Sequence, residues 1–147
     1  MLPPKNTSKS RLNHLGFTLI EMMMVVVIMG ILSALAYPNF TKSLYKARRS
    51  DAIEALLSLQ QAQERWRSNN TQYATLDLLG ISTSSAKGYY TLSLATTPNT
   101  TSYSAVATAA PSSSQSNDSN CQTLRVDVNP SGYSGQTLYS PSGCWSQ

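Results

Sequence analysis

Glu21 is the residue whose position most demands a chemical explanation. It is the only charged side chain between Phe17 and Tyr37, an apolar run of bilayer length. A carboxylate inside such a run costs about 2.5 to 3.5 kcal/mol on insertion scales, so it is read as functional and as needing a partner. Conventional reaction chemistry finds little else to use. His14 is the sole histidine and precedes the apolar run, so a chain starting at Phe17 would hold none. A histidine-dependent triad or zinc site would then be impossible. Asp51 and Glu54 share a helix face with Arg48 and Arg49, while Glu64, Asp77, Asp118 and Asp127 show no spacing that pairs two carboxylates for acid-base work. These acidic residues are expected on a solvated, ion-paired surface. The expectation is therefore a non-enzyme, with no catalytic residue, no cofactor and no metal.

Cys121 and Cys144 are the only cysteines. In an exported chain they read as one disulfide; in a cytosolic chain they would be two thiols or half of a metal site. Closing a loop of this size stabilises a fold by about 3 kcal/mol in the chain-entropy account.

The elements that position these residues follow from composition. At 147 residues the chain has room for one domain with a core plus an anchor. Its formal charge is +4, but Lys5, Lys9 and Arg11 lie before Phe17, so most of the basicity sits in residues 1 to 16. That segment carries no acidic residue and is expected to stay cytoplasmic. Phe17 to Tyr37, at 1.5 Å per residue, makes about 31 Å of helix and matches the hydrocarbon thickness. An ordinary signal peptide cleaved after Ala34-Leu35-Ala36 is the rival. Against it, a helical pattern continues past Pro38: Phe40, Leu44, Ala47, Ala52, Ile53, Leu56, Leu59, Ala62 and Trp66 recur at spacings of three and four. That stripe is expected to pack on a sheet, with Lys42, Lys46, Arg49, Glu54, Glu64 and Arg67 on the other faces. Gly30 and Pro38 are the two helix-weakening residues of the span.

After Asn70 the composition turns to Ser, Thr, Tyr and Gly. Residues 72 to 87 read as an irregular connection with a short turn at Leu76 to Leu79. Tyr89 to Leu94 and Tyr103 to Thr108 alternate polar with apolar around Pro98-Asn99, a hairpin pattern. Leu124 to Asn129 has the same period and ends at Pro130-Ser131-Gly132; Tyr133 to Tyr139 is expected to add a short strand. Pro111 to Asn120, nearly all Ser, Asn and Gln, reads as a solvated loop. The expected fold is α+β: one long N-terminal helix on an antiparallel sheet of three or four strands.

The leader ending in Gly16, the Phe17-Thr18-Leu19-Ile20-Glu21 that follows, the apolar run and the amphipathic helix together resemble class III prepilins, the type IV pilin family. The cysteine pair and the sheet extend the resemblance to Trp145. The ending Pro141-Ser142-Gly143-Cys144-Trp145 looks most like minor pilins of the PilE type, while the leader is longer than is common among type IVa pilins. The resemblance implies a leader of residues 1 to 16, a membrane and filament-core helix over 17 to 37 and a periplasmic, then surface-exposed, domain over 38 to 147. It implies a prepilin peptidase cut between Gly16 and Phe17, N-methylation of Phe17, and Glu21 meeting the N-terminal amine of a neighbouring subunit. It also implies helix unwinding between Gly30 and Pro38 in the filament, and a surface-exposed segment bounded by Cys121 and Cys144.

The implied partners are other pilin subunits, the peptidase, the inner-membrane assembly machinery and, for the single-pass precursor, the membrane. The implied product is an extracellular pilus serving adhesion, twitching motility or DNA uptake. A type II secretion pseudopilin is the alternative, since it would share the cleavage site, Glu21 and the helix. The Cys pair and Ser-rich loop favour the pilus, and Asp118 and Asp127 alone supply too few oxygens for a pseudopilin calcium loop. DNA binding would need clustered cations, and after Arg67 only Lys87 and Arg125 remain.

Overall fold

Thr18 starts the first helix. Its Oγ1 accepts the Glu21 N–H at 3.3 Å and its carbonyl accepts the Met22 N–H at 3.2 Å, the contacts expected of an N-cap. The computed structural model describes residues 16–129 and 135–145. His14 and the leader cations, the Pro130-Ser131-Gly132 turn and Tyr133 lie outside the described residues. Contacts divide the chain into two units, Met1–Pro38 and Asn39–Gln147.

Helix α1 spans Leu19–Arg67. Pro38 has no N–H to offer the Ala34 carbonyl, yet α1 continues through it and through Gly30. At its C-terminal end polar side chains take the last carbonyls: the Ser68 hydroxyl donates to Arg65 and the Asn70 amide to Trp66, each at 2.8 Å.

The second unit holds α2 (Leu76–Leu79), strands β1 (Tyr90–Leu94), β2 (Tyr103–Ala109), β3 (Thr123–Val128) and β4 (Thr137–Ser140), and α3 (Ser142–Trp145). The strands form an antiparallel meander in sequence order. Tyr90 faces Ala109 and Leu92 faces Ala107 across the first pair; Ala105 faces Val126 and Ala107 faces Leu124 across the second. Period-two alternation puts these residues on one face. On it, β2 contributes Ala105, Ala107 and Ala109, all buried. Their small side chains leave room for the helix, and Ala52, Leu56 and Leu59 of α1 join the same cluster as Tyr90, Leu92, Tyr103, Leu124 and Val126. Each fully buried Leu here is worth about 2 to 5 kcal/mol against alanine.

The outline matches the expected α+β fold, with corrections at the edges. Phe40 is 62% exposed and Ala47 is also exposed, so the buried stripe of α1 begins only at Asp51 and Ala52. The last strand runs Thr137–Ser140. Residues 110–120 are an ordered polar strap with a 3-10 turn at Ser114–Asn117, and not a freely solvated loop.

Candidate functional site

In the N-terminal unit, Gly16, Phe17 and Thr18 precede the helix and Glu21 lies in its first turn. Thr18-Leu19-Ile20-Glu21 has the capping-box spacing, a signal that would have identified Thr18 from sequence. A carboxylate in a first turn also faces the positive end of the helix dipole. Among the described residues no hydrogen bond or ion pair reaches the Glu21 side chain. Large apolar residues from Phe17 to Tyr37 are between 42% and 78% exposed. The best 18-residue window of α1 has mean hydropathy 2.4 with none of it buried, making this the one helix among the described residues long and apolar enough to cross a membrane. Such a surface calls for cover, by lipid or by other helices.

In the second unit, polar side chains of α1 hold the connecting loops. Asp51 is buried, contrary to the solvated role expected of it. Its Oδ2 accepts the Ser85 hydroxyl at 2.6 Å and the Tyr89 N–H at 3.3 Å, and its Oδ1 accepts the Lys87 N–H at 3.0 Å. A carboxylate thus fixes the approach to β1. Gln63, also fully buried, clamps Ala74: its amide donates to the Ala74 carbonyl at 2.7 Å and its Oε1 accepts the Ala74 N–H at 2.9 Å.

The strap after β2 is held in the same way. The Arg49 guanidinium grips Asp118 through Nε at 2.7 Å and Nη2 at 2.8 Å, a two-bond pair. The same contact holds Arg49 protonated above its already high ordinary value. Gln115, buried within the strap, donates to Asp118 at 2.8 Å and to the Tyr45 carbonyl at 3.3 Å. Arg48 donates to Ser114 and lies over the Tyr89 ring at 5.1 Å. Sequence spacing had put Arg49 on an outer face; its partner is far along the chain.

Cys121 and Cys144 are joined in a disulfide with a Cα separation of 5.7 Å. Arg125 pairs with Asp127 at 2.8 Å. Burial pushes Tyr90 up to about 12 and Tyr103 upward too, so both phenols stay protonated near neutral pH and offer no base. Among the described residues no group of three or more His, Cys, Asp or Glu is placed to hold a metal.

The N-terminal unit offers an exposed apolar helix with a capped acidic first turn, and the second unit is a small stapled head. Residues 38–125 match the family model described as type IV minor pilin ComP, DNA uptake sequence receptor, and residues 11–37 match the prokaryotic N-terminal methylation motif. The chain is 37% identical over 67 residues to the type II secretion system core protein G of Klebsiella michiganensis, covering 46% of this chain and 47% of that one. It is 46% identical over 59 residues to the type IV major pilin protein PilA of Myxococcus xanthus, covering 40% and 27%. The protein G of Vibrio cholerae is 39% identical over 62 residues, 42% of each. The chain thus spans about half or less of the length of these curated relatives.

Proposed function

The chain belongs to the type IV minor pilin ComP, DNA uptake sequence receptor family, and on that premise we propose that it is a minor structural subunit of a type IV pilus. The observation that carries the reading is the match over residues 38–125, because it lies almost wholly in the sheet-bearing unit. The methylation-motif segment alone would suit a pseudopilin equally well.

In this proposal residues 1 to 16 are removed between Gly16 and Phe17 by a prepilin peptidase, and the new amine of Phe17 is methylated. Residues 17 to 37 anchor the precursor in the bacterial inner membrane, with residues 38 to 147 in the periplasm, and then form filament core in an extracellular pilus. Other pilins and the inner-membrane assembly machinery are the partners. Glu21 receives the N-terminal amine of a neighbouring subunit, which gives its carboxylate the partner its setting requires. A misregistered neighbour leaves one buried charge unpaired, so the pair selects axial register. Gly30 and Pro38 bound the stretch that unwinds on packing; the missing Pro38 N–H and the backbone freedom of Gly30 support that assignment.

Mass spectrometry of the mature N-terminus is the test. N-methylated Phe17 is expected; a terminus at Tyr37 or an intact Met1 sinks the reading. Glu21→Val should insert into the membrane normally but enter sheared filaments at a level reduced at least about tenfold, the effect of roughly 1.4 kcal/mol in register selection. Wild-type incorporation of that variant removes the role assigned to Glu21.

The protein G relatives favour a second reading, a type II secretion pseudopilin. Recovery of the subunit in sheared surface filaments of cells lacking the secretion system excludes it. DNA enters the proposal through the family description, as a partner contacted by several subunits together. Lys42, Lys46, Arg65 and Lys87 are exposed, whereas carboxylates occupy Arg49 and Arg125. So few cations neutralise few phosphates. Tight, salt-resistant DNA binding by isolated subunits in detergent contradicts this sharing.

A further inference from the structure

Helix α1 holds no acidic residue between Glu21 and Asp51, and in that stretch its cations are Lys42, Lys46, Arg48 and Arg49. The two arginines are committed to the strap after β2. Arg49 is paired with Asp118, and Arg48 donates to Ser114 beside the Tyr89 ring. Lys42 and Lys46 are exposed and have no ion pair among the described residues. Four residues apart on a helix, they share a face. The exposed neighbours on these turns are Asn39, Phe40, Ser43 and Ala47, so no carboxylate offsets the two ammonium groups. The next carboxylate on the exposed side is Glu54, about two turns further along.

Their place along the chain defines what they face. The apolar run ends at Tyr37, a residue type that favours the border between hydrocarbon and water. Lys42 and Lys46 follow it by about 7.5 and 13.5 Å, at 1.5 Å per helical residue. A bilayer has about 5 to 8 Å of headgroup and interface on each side of its hydrocarbon. Lys42 therefore falls at the phosphate level, and Lys46 within about a Debye length of it. Long flexible stems let both ammonium groups bend toward that level. Orientation does not call for them, because the positive-inside rule draws cations to the opposite, cytoplasmic flank.

We propose that Lys42 and Lys46 bind the phosphates of anionic phospholipids, in the leaflet on the head side of the membrane that residues 17 to 37 span. The proposal rests on the anchored-precursor reading and gives it a lipid preference. Charge complementarity, together with continuity with the span, selects lipid as the occupant of this face. The clamp holds the head end of the span at the surface until the subunit leaves the bilayer for a filament.

The test uses the full chain in lipid nanodiscs made of phosphatidylcholine alone or of equal parts phosphatidylcholine and phosphatidylglycerol. An uncharged succinimidyl ester acylates lysines, and mass spectrometry of peptides reads the rate at each site. At low salt Lys42 and Lys46 should react about fivefold more slowly in the anionic discs, the protection given by about 1 kcal/mol per lysine. The difference should vanish at about 0.5 M NaCl, where screening shortens the reach of the surface charge. Lys87 is the internal control. Its N–H is bonded to Asp51, about 21 Å past Tyr37 along α1, and its rate should not change with lipid. Inorganic phosphate added to phosphatidylcholine discs should protect neither Lys42 nor Lys46. Equal rates in the two discs, slowing of Lys87 by the same factor, protection that survives high salt, or protection by free phosphate each overturn the clamp. Retention of the chain by the discs separates the two ideas. A retained chain without protection refutes the clamp alone, whereas a chain that the discs do not retain refutes the anchored-precursor reading and the clamp with it.

Discussion

Asp51→Ala should be among the most damaging single substitutions in the head. The native carboxylate satisfies three donors: the Ser85 hydroxyl and the Lys87 and Tyr89 N–H groups. Leaving a buried donor unpaired costs about 1 to 3 kcal/mol. The two backbone donors are only partly buried and can recruit water, which places them at the low end. Removing the carboxylate also relieves its own desolvation cost, which offsets part of the loss. The net expectation is about 3 kcal/mol, a large share of the 5 to 15 kcal/mol that typically holds a domain. Asp51→Asn keeps one acceptor for two of the donors but turns an amide N–H toward Lys87, and should cost about half as much. Urea unfolding of the full chain in detergent micelles, with equal slopes across variants, measures these differences. Glu54→Ala, on the exposed side of the same helix, is the control and should stay within about 0.5 kcal/mol of wild type. In a double-mutant cycle with Ser85→Ala the Asp51 and Ser85 losses should be non-additive by at least about 0.5 kcal/mol. An Asp51→Ala variant as stable as the Glu54→Ala control, or strict additivity with Ser85, refutes this account of the site.

Two further outcomes follow from the same head. Tyr90 has its folded-state pKa raised from 10.0 to about 12, so the folded chain retains a proton that the unfolded chain loses above pH 10. The Tyr90 contribution to stability should be complete below pH 10 and fall by about 2 to 3 kcal/mol as pH rises towards 12, in addition to a loss of the same sign from Tyr103; a Tyr90→Phe chain whose alkaline loss is as large as that of wild type counts against the assignment. Replacing Cys121 and Cys144 together with Ser should cost about 3 kcal/mol in the same unfolding assay, and a double variant with an unchanged midpoint contradicts that value.

Sequence pattern exposed the parts of this fold that depend on near neighbours. The apolar run, the spacing of Ala52, Leu56 and Leu59, and the alternation of the strands are local signals, and each corresponds to an observed element. Contacts across long separations were hidden. Asp51 stood beside two arginines and looked like a surface ion pair, but its partners lie beyond residue 84. Gln115 and Asp118 sat in a run of Ser and Asn whose composition suggests solvent, and nothing local pointed to Arg49. Gln63 is polar at a core position, and only the chain turning back at Ala74 explains it. At the start of α1, the Thr18 cap is legible in the capping-box spacing of Thr18-Leu19-Ile20-Glu21. The setting of Glu21 was legible because a charge in an apolar run is conspicuous whatever the fold.

The disulfide also decides how the sheet can come apart. Strand β4 is bonded on one side only, to β3, and the chain just beyond it carries Cys144, tied to Cys121 just before β3. If β4 peels away, it remains on a short covalent tether, at an effective concentration in the millimolar range with respect to its own docking edge. The tether favours re-pairing of β4 with its own edge over loss of the strand.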